Sequence, residues 1–126
     1  WFAPILGPTY PNRFYTHAAA TDRLTNASRF SALPTIWDRL NSAGLKGLNY
    51  GTSNPSSVSF WGLKYAAISR SIGQFYVDAA AGNLPNVSFV DPDLSTDNAN
   101  SYHPPGDIRN AEAYERGYAG GGSVEA

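Results

Sequence analysis

Twice along the chain an amphipathic run closes on a glycine and is followed at once by a short apolar stretch. In the first unit Ile36, Trp37, Leu40 and Ala43 fall on one helical face, Gly44 suits the position just past the helix end, and residues 45–50 read as a strand. Thr35 and Asp38 have the spacing of a capping box, with Asp in place of the usual Glu. In the second unit Trp61, Tyr65, Ile68, Ile72, Phe75, Tyr76 and Ala79 keep helical spacing over about five turns. Gly73 is a candidate break, Gly82 ends the run, and residues 87–90 read as a strand closed by Asp91-Pro92. Helices alternating with strands this closely predict an α/β fold with a mostly parallel sheet.

The remaining segments are arranged around these units. Residues 1–8 read as a buried strand that turns at Gly7-Pro8, and Thr9 then caps a helix over roughly residues 10–20, with Pro11 tolerated in its first turn. Residues 21–33 are polar and irregular, 51–59 a loop, and 91–106 a loop long enough to suggest function. Asp107 can cap a last helix with Ile108, Ala111, Tyr114 and Tyr118 on one face, and Gly120-Gly121-Gly122-Ser123 resembles a linker. A length of 126 residues allows one domain. The chain starts at Trp1, lacks Met, and is 15% charged against a typical ~25%, so it is read as a piece of a larger body. Isolated, such a piece would have open strand edges and unpartnered helix faces, and a marginal or aggregation-prone fragment is expected. The net charge of −1, with no basic block, speaks against a nucleic-acid partner. The absence of Cys excludes a disulfide scaffold, a thiolate metal site and a Cys nucleophile. No apolar run approaches ~18 residues, so no transmembrane segment is read.

Two positions are candidates for chemistry. Thr9 places a hydroxyl at a helix N-terminus, where backbone N–H groups and the macrodipole favour an anion or an alkoxide. Arg13, four residues on, can clamp phosphate oxygens, and Asn12 can add a hydrogen bond. The plainer reading makes Thr9 a helix cap and Arg13 a surface residue. His103, in Tyr102-His103-Pro104-Pro105, sits in a stiffened loop and can meet a metal or a substrate anion, or simply bond to backbone. His17 is read as solvated. Asp91, Asp93 and Asp97 are read as a solvated turn, since their spacing does not match a calcium-binding loop. Tyr15, Trp37, Tyr50, Trp61 and Tyr65 could line a pocket by cation–π contact, but their spacing favours core. Asn26 and Asn86 lie in Asn-x-Ser sites that matter only in a glycosylating host. Dinucleotide, P-loop, His-Glu-x-x-His and Gly-x-Ser-x-Gly signatures are missing.

Gly7-Pro8-Thr9-Tyr10-Pro11-Asn12-Arg13 resembles the Gly-Pro-Thr-x-Pro-Asn-Arg motif of the bacterial and plant phosphoesterase family. That family holds phosphocholine-type phospholipases C, plant non-specific phospholipases C and related acid phosphatases, within the alkaline-phosphatase-like superfamily. Four more stretches agree in order: residues 34–40 with Ala43-Gly44; 75–78 with Gly82-Asn83-Leu84-Pro85; 87–92; and 103–108. The resemblance implies part of a three-layer αβα alkaline-phosphatase-like domain over residues 1–118, with a Gly-rich tail over 119–126.

The resemblance also implies roles. Thr9 would be the nucleophile that forms a phospho-enzyme and a ligand of a divalent metal ion; His103 would contact the phosphate or the active-site network; Asn12 and Arg13 would bind phosphate. The substrate would be a phospholipid of phosphatidylcholine type or a small phosphate ester, with possible peripheral contact at a membrane surface. The location would be secreted or periplasmic. The alternatives are a broad-specificity acid phosphatase and a non-catalytic relative acting as a binding module. Ser101-Tyr102, where the family usually has acidic residues, and Ala111, where it has Gly, depart from the pattern. A Glu-Asn metal-binding pair would precede residue 1 and an Asp-Glu-x-Gly-Gly block would follow residue 126, so the chain alone is expected to be inactive.

Overall fold

The computed structural model describes residues 3–52, 55–92 and 106–119. The elements are α1 (Thr9–Ala18), α2 (Ile36–Ser42), β1 (Gly47–Gly51), α3 (Ser56–Trp61), a 3-10 segment (Gly62–Ile68), β2 (Ser69–Ser71), α4 (Ile72–Ala80), β3 (Val87–Val90) and α5 (Ile108–Ala119). The three strands form a parallel sheet in the order β2-β1-β3, with Asn49 opposite Ser69 and Phe89. The α/β expectation holds.

Both units form a helix–glycine–strand passage, the second from the shorter helix Ile72–Ala80, and both close by the same device. In the first, Gly44 has φ +68°, Leu45 N–H reaches Leu40 O at 2.9 Å and Gly44 N–H reaches Asn41 O at 3.1 Å. In the second, Gly82 has φ +67°, Asn83 N–H reaches Asp78 O at 2.8 Å and Gly82 N–H reaches Ala79 O at 3.1 Å. These paired bonds are Schellman motifs, which satisfy the last helical carbonyls and turn the chain toward the sheet. The capping box is present as well: Thr35 accepts from Trp37 N–H at 3.2 Å, and Asp38 accepts from Thr35 N–H at 3.0 Å. Lys64 and Tyr65 bond the same Asp38 oxygen at 2.9 and 2.8 Å, so the start of α2 is also tied to the 3-10 segment.

Alternation along the strands sorts the core into two layers around the sheet. Val87 and Phe89 pack with Phe14, Trp37, Phe60, Trp61 and Tyr65, which come from α1, α2, α3 and the 3-10 segment. Leu48, Tyr50 and Val90 pack with Phe75 and Tyr76 of α4. The aromatic residues Trp37, Tyr50, Trp61 and Tyr65 are therefore core, as their spacing suggested. β2 and β3 are the sheet edges among the described residues.

Three expectations are corrected. Residues 3–8 are bends and coil, not a strand. Pro4 and Pro8 have no N–H to give a ladder, and Ile5 N–H turns back to Asn12 Oδ1 at 3.3 Å. The long helix over residues 61–79 is broken into α3, the 3-10 segment, β2 and α4. Gly62 turns the chain with φ +63°, and Ser69-Arg70-Ser71 pairs with β1. Gly73 lies inside α4; the restart is set by Ser71, whose hydroxyl accepts from Gln74 N–H at 3.2 Å. Finally, α3 begins at Ser56, within the expected loop.

Two glycines of the first unit should fail for different reasons when changed to Ala. A Cβ on Gly47 would lie 2.8 Å from Leu40 Cδ1 and 2.9 Å from the Trp37 ring. Such overpacking costs about 1–3 kcal/mol. A Cβ on Gly44 meets open space, leaving only the left-handed backbone cost of about 1–2 kcal/mol. Urea unfolding should rank Gly47→Ala at least as destabilised as Gly44→Ala. An unchanged midpoint for Gly47→Ala would contradict the packing described.

Candidate active site

The strand order reverses at β1: the chain moves from β1 outward to β2 and then crosses back to β3 on the other side. In open α/β sheets the crevice beyond the carboxyl ends of the strands at such a point is the usual ligand position. β1 ends there at Gly51, β3 ends at Val90, and Asp91 follows.

Asp91 is the centre of the polar structure at this edge. It is 4% exposed. Its Oδ1 accepts from Arg13 Nη1 at 2.9 Å, and its Oδ2 accepts from Asn49 Nδ2 at 2.8 Å and from Ser56 N–H at 2.7 Å. Its own N–H donates to Tyr50 O at 2.8 Å, and its carbonyl accepts from Tyr114 Oη at 2.8 Å. Reading Asp91 as part of a solvated turn is thus overturned; Asp93 and Asp97 lie outside the described residues.

Asn49, fully buried on β1, extends the network. Because its Nδ2 donates to Asp91, its Oδ1 is the acceptor, receiving Ser57 N–H at 2.9 Å and Ser56 Oγ at 3.5 Å. Ser56 in turn lies 2.7 Å from His17 Nε2. Ser56 is thus shared between His17 and, through its backbone N–H, Asp91. His17 is 2% exposed and ringed by Trp37, Trp61 and Phe89, contrary to the solvated reading. Its Nδ1 is buried without a partner. Burial pushes its pKa down to about 4, with Asp91 acting to raise it and Arg13 to lower it further.

The motif residues of α1 fall around this edge. Thr9 is the first residue of the helix; the N-cap position belongs to Pro8, and so the capping role expected of Thr9 is not observed. The first-turn amides are served from elsewhere: Tyr10 N–H donates to Asn26 Oδ1 at 2.9 Å, and Pro11 has none to offer. Asn12 is a latch on the preceding loop. Its Nδ2 donates to Gly7 O at 3.1 Å and Pro8 O at 3.0 Å, while its Oδ1 holds Ile5 N–H. Arg13 is paired with Asp91. Thr9, Arg13 and His17 recur every four residues, which aligns them along one side of the helix. His103 lies outside the described residues.

The loop that supplies Asn26 is organised by a buried cation. Arg23, 7% exposed, stacks on Phe14 with its guanidinium carbon 4.2 Å from the ring centroid. It donates to Asp22 at 2.7 Å, to Ala27 O at 2.7 Å and to Arg29 O at 2.6 Å. Arg23 thus gathers residues 22, 27 and 29 of the irregular run, while Ser31 N–H bonds Phe60 O and Leu33 O accepts from Trp61 Nε1.

A divalent metal does not fit the described residues alone. Among them, no three His, Cys, Asp or Glu side chains converge. Asp91, the carboxylate at this edge, is already engaged by three donors. No helix among the described residues is long and apolar enough to cross a membrane.

Fold and site together define a parallel α/β protein whose hydroxyl-bearing helix is anchored at the carboxyl edge of the sheet. No family model matches the chain. Over 120 residues it is 34% identical to non-specific phospholipase C5 of Arabidopsis thaliana, covering 86% of this chain and 23% of that protein. It is 29% identical over 124 residues to non-specific phospholipase C6 of the same plant, covering 89% of this chain and 24% of that protein. With non-specific phospholipase C4 it shares 32% over 120 residues, 86% of this chain and 22% of that protein. The curated homologues of the chain are thus plant non-specific phospholipases C, of the phosphoesterase family, and the chain spans about a quarter of their length.

A pH effect follows from His17. In the unfolded chain its pKa is 6.5 and in the folded chain about 4, so between these values the unfolded state binds the extra proton. Stability is therefore undiminished above about pH 6.5 and falls as the pH drops toward 4, by up to about 3 kcal/mol. Urea unfolding at pH 7, 5.5 and 4.5 should show this loss, and His17→Gln should flatten it. An equally steep loss in His17→Gln would assign the effect to other groups.

Proposed function

We propose that the chain is the nucleophile-bearing part of a phosphoric ester hydrolase of phospholipase C type acting on phosphatidylcholine-like lipids. The observation that carries the proposal is the place of Thr9: within the motif shared with the family, first in a helix fixed at the carboxyl edge of a parallel sheet. In this reading Thr9 Oγ1 bonds to phosphorus as the alcohol oxygen of the ester leaves. Water then cleaves the phosphothreonine and restores the hydroxyl. Arg13, held through one nitrogen by Asp91 and with its side chain 21% exposed, meets the phosphoryl oxygens. Asn12 acts through the loop it latches. His103 is proposed to contact phosphate.

The proposal includes a divalent metal, with ligands supplied by residues other than those described here, and a secreted or periplasmic location. A lipid substrate is supported by apolar side chains around the start of α1. Leu6 is fully exposed beside the motif, and Leu24 is 74% exposed in the loop whose Asn26 bonds Tyr10. These residues suit peripheral contact with a lipid surface.

The test uses the intact protein with p-nitrophenyl phosphocholine and p-nitrophenyl phosphate. Preference for the phosphocholine ester is expected; preference for the monoester would favour a broad acid phosphatase, and no turnover of either a non-catalytic relative. Thr9→Ala should lower turnover by about a thousandfold or more. Chelation should abolish it. Activity retained in Thr9→Ala would assign the attack to another nucleophile or directly to water.

A further inference from the structure

We propose that Asp91 is a positioning residue for the reaction: it sets the height of α1, and hence of Thr9, above the carboxyl edge of β1 and β3. This rests on the reading of Thr9 as nucleophile.

The argument begins with the anchoring of Asp91 itself. Its backbone N–H is bonded to Tyr50 O, so its main chain continues the β1–β3 pairing by one residue. The carboxylate therefore projects from the rigid sheet rather than from a free loop. Each of its three contacts is a donor, and a carboxylate is the side chain that accepts from all of them without offering a proton. One donor belongs to α1, one to β1 and one to the first residue of α3. The ion pair between Arg13 and Asp91 joins residues 78 apart in sequence and fixes α1 one turn beyond Thr9. The next turn is fixed through the same carboxylate, since His17 bonds the Ser56 hydroxyl and Ser56 N–H bonds Asp91. Successive turns of one helical side are thus pinned to one carboxylate, and Thr9 is the next position along that side. Tyr114 of α5 bonds the carbonyl of the same residue, bringing a further helix to the joint.

A displacement of about 1 Å at a reacting group can cost about a hundredfold in rate. In Asp91→Asn the shape is kept, but the amide must turn its NH2 toward Arg13 or toward the Asn49 and Ser56 donors. The first choice breaks the tie to Arg13, and the second breaks the ties to both Asn49 and Ser56. The helix should then shift or loosen, while the Arg13 guanidinium keeps its charge for the phosphoryl oxygens.

The experiment measures kcat and KM of the intact protein with a phosphocholine ester for Asp91→Asn and Asp91→Ala. The expected result is a fall of about a hundredfold in kcat, with KM changed by less than about threefold. Added formate should restore part of the kcat of Asp91→Ala, because a small carboxylate can take up the same donors, whereas chloride should not. Amide exchange over residues 9–13 should quicken in Asp91→Ala and slow again with formate. A kcat within about threefold of the parent, or a loss carried by KM, would overturn the proposal. So would failure of both variants to fold, which would make Asp91 a folding determinant. Thr9→Ala, assayed alongside, separates the two readings. Full turnover in Thr9→Ala removes the nucleophile and with it the role of Asp91 in catalysis. Loss in Thr9→Ala with normal turnover in Asp91→Asn removes the positioning role alone.

Discussion

A carboxylate withdrawn from water must be met by donors, or the fold that buries it is not stable. Asp91 imposes that condition on this chain. Its donors come from a helix near the start of the sequence, from the central strand and from the helix that follows that strand. These elements can satisfy Asp91 only in one arrangement. The aromatic core below the network supplies the larger apolar burial, but apolar contact tolerates sliding, whereas a charged hydrogen bond at 2.7–2.9 Å does not. The network therefore contributes register more than stability.

What the sequence makes visible is local. The Schellman glycines, the Thr35–Asp38 box and the Asp107 cap, which accepts from Arg109 N–H at 2.9 Å, each need neighbours within a few residues, and each is read correctly from spacing. The parallel sheet follows from the two units they delimit. What the sequence hides is tertiary. An Asp after a strand and before a Pro resembles a solvated turn, and nothing nearby reveals Arg13 as its partner. Asn49 is the one hint, a polar amide in an apolar strand that must find partners when buried. The helical spacing from Trp61 to Ala79 misleads because the apolar positions of a 3-10 segment, a short strand and a helix happen to fall in step. Ser71 with Gln74, a cap-like pair inside that run, is the signal that would have divided it.

In the proposed reading the heptapeptide around Thr9 divides into a reactive group and its mount. Asn12 ties the Gly7-Pro8 turn to the helix, Pro11 occupies the first turn where its lacking N–H costs nothing, and Arg13 ties the helix to the sheet. At the level of sequence these were candidates for phosphate binding. The structure gives Asn12 and Arg13 holding contacts, which fix the helix that begins at Thr9.

Electrostatics then explains why the proposed chemistry needs more charge than these residues hold. Arg13 is already balanced in part by Asp91, and His17 is neutral at ordinary pH because burial has lowered its pKa to about 4. The start of α1 contributes about half a positive charge, but Tyr10 N–H is spent on Asn26 and Pro11 has no N–H. A phosphate ester approaching Thr9 brings one or two negative charges, and more develops on its oxygens during transfer. One partly neutralised guanidinium and a half-spent helix end offset a fraction of that. The balance has to come from cations that the described residues do not ligate, which is the physical ground for keeping a divalent metal in the proposal although no carboxylate cluster for it forms among them.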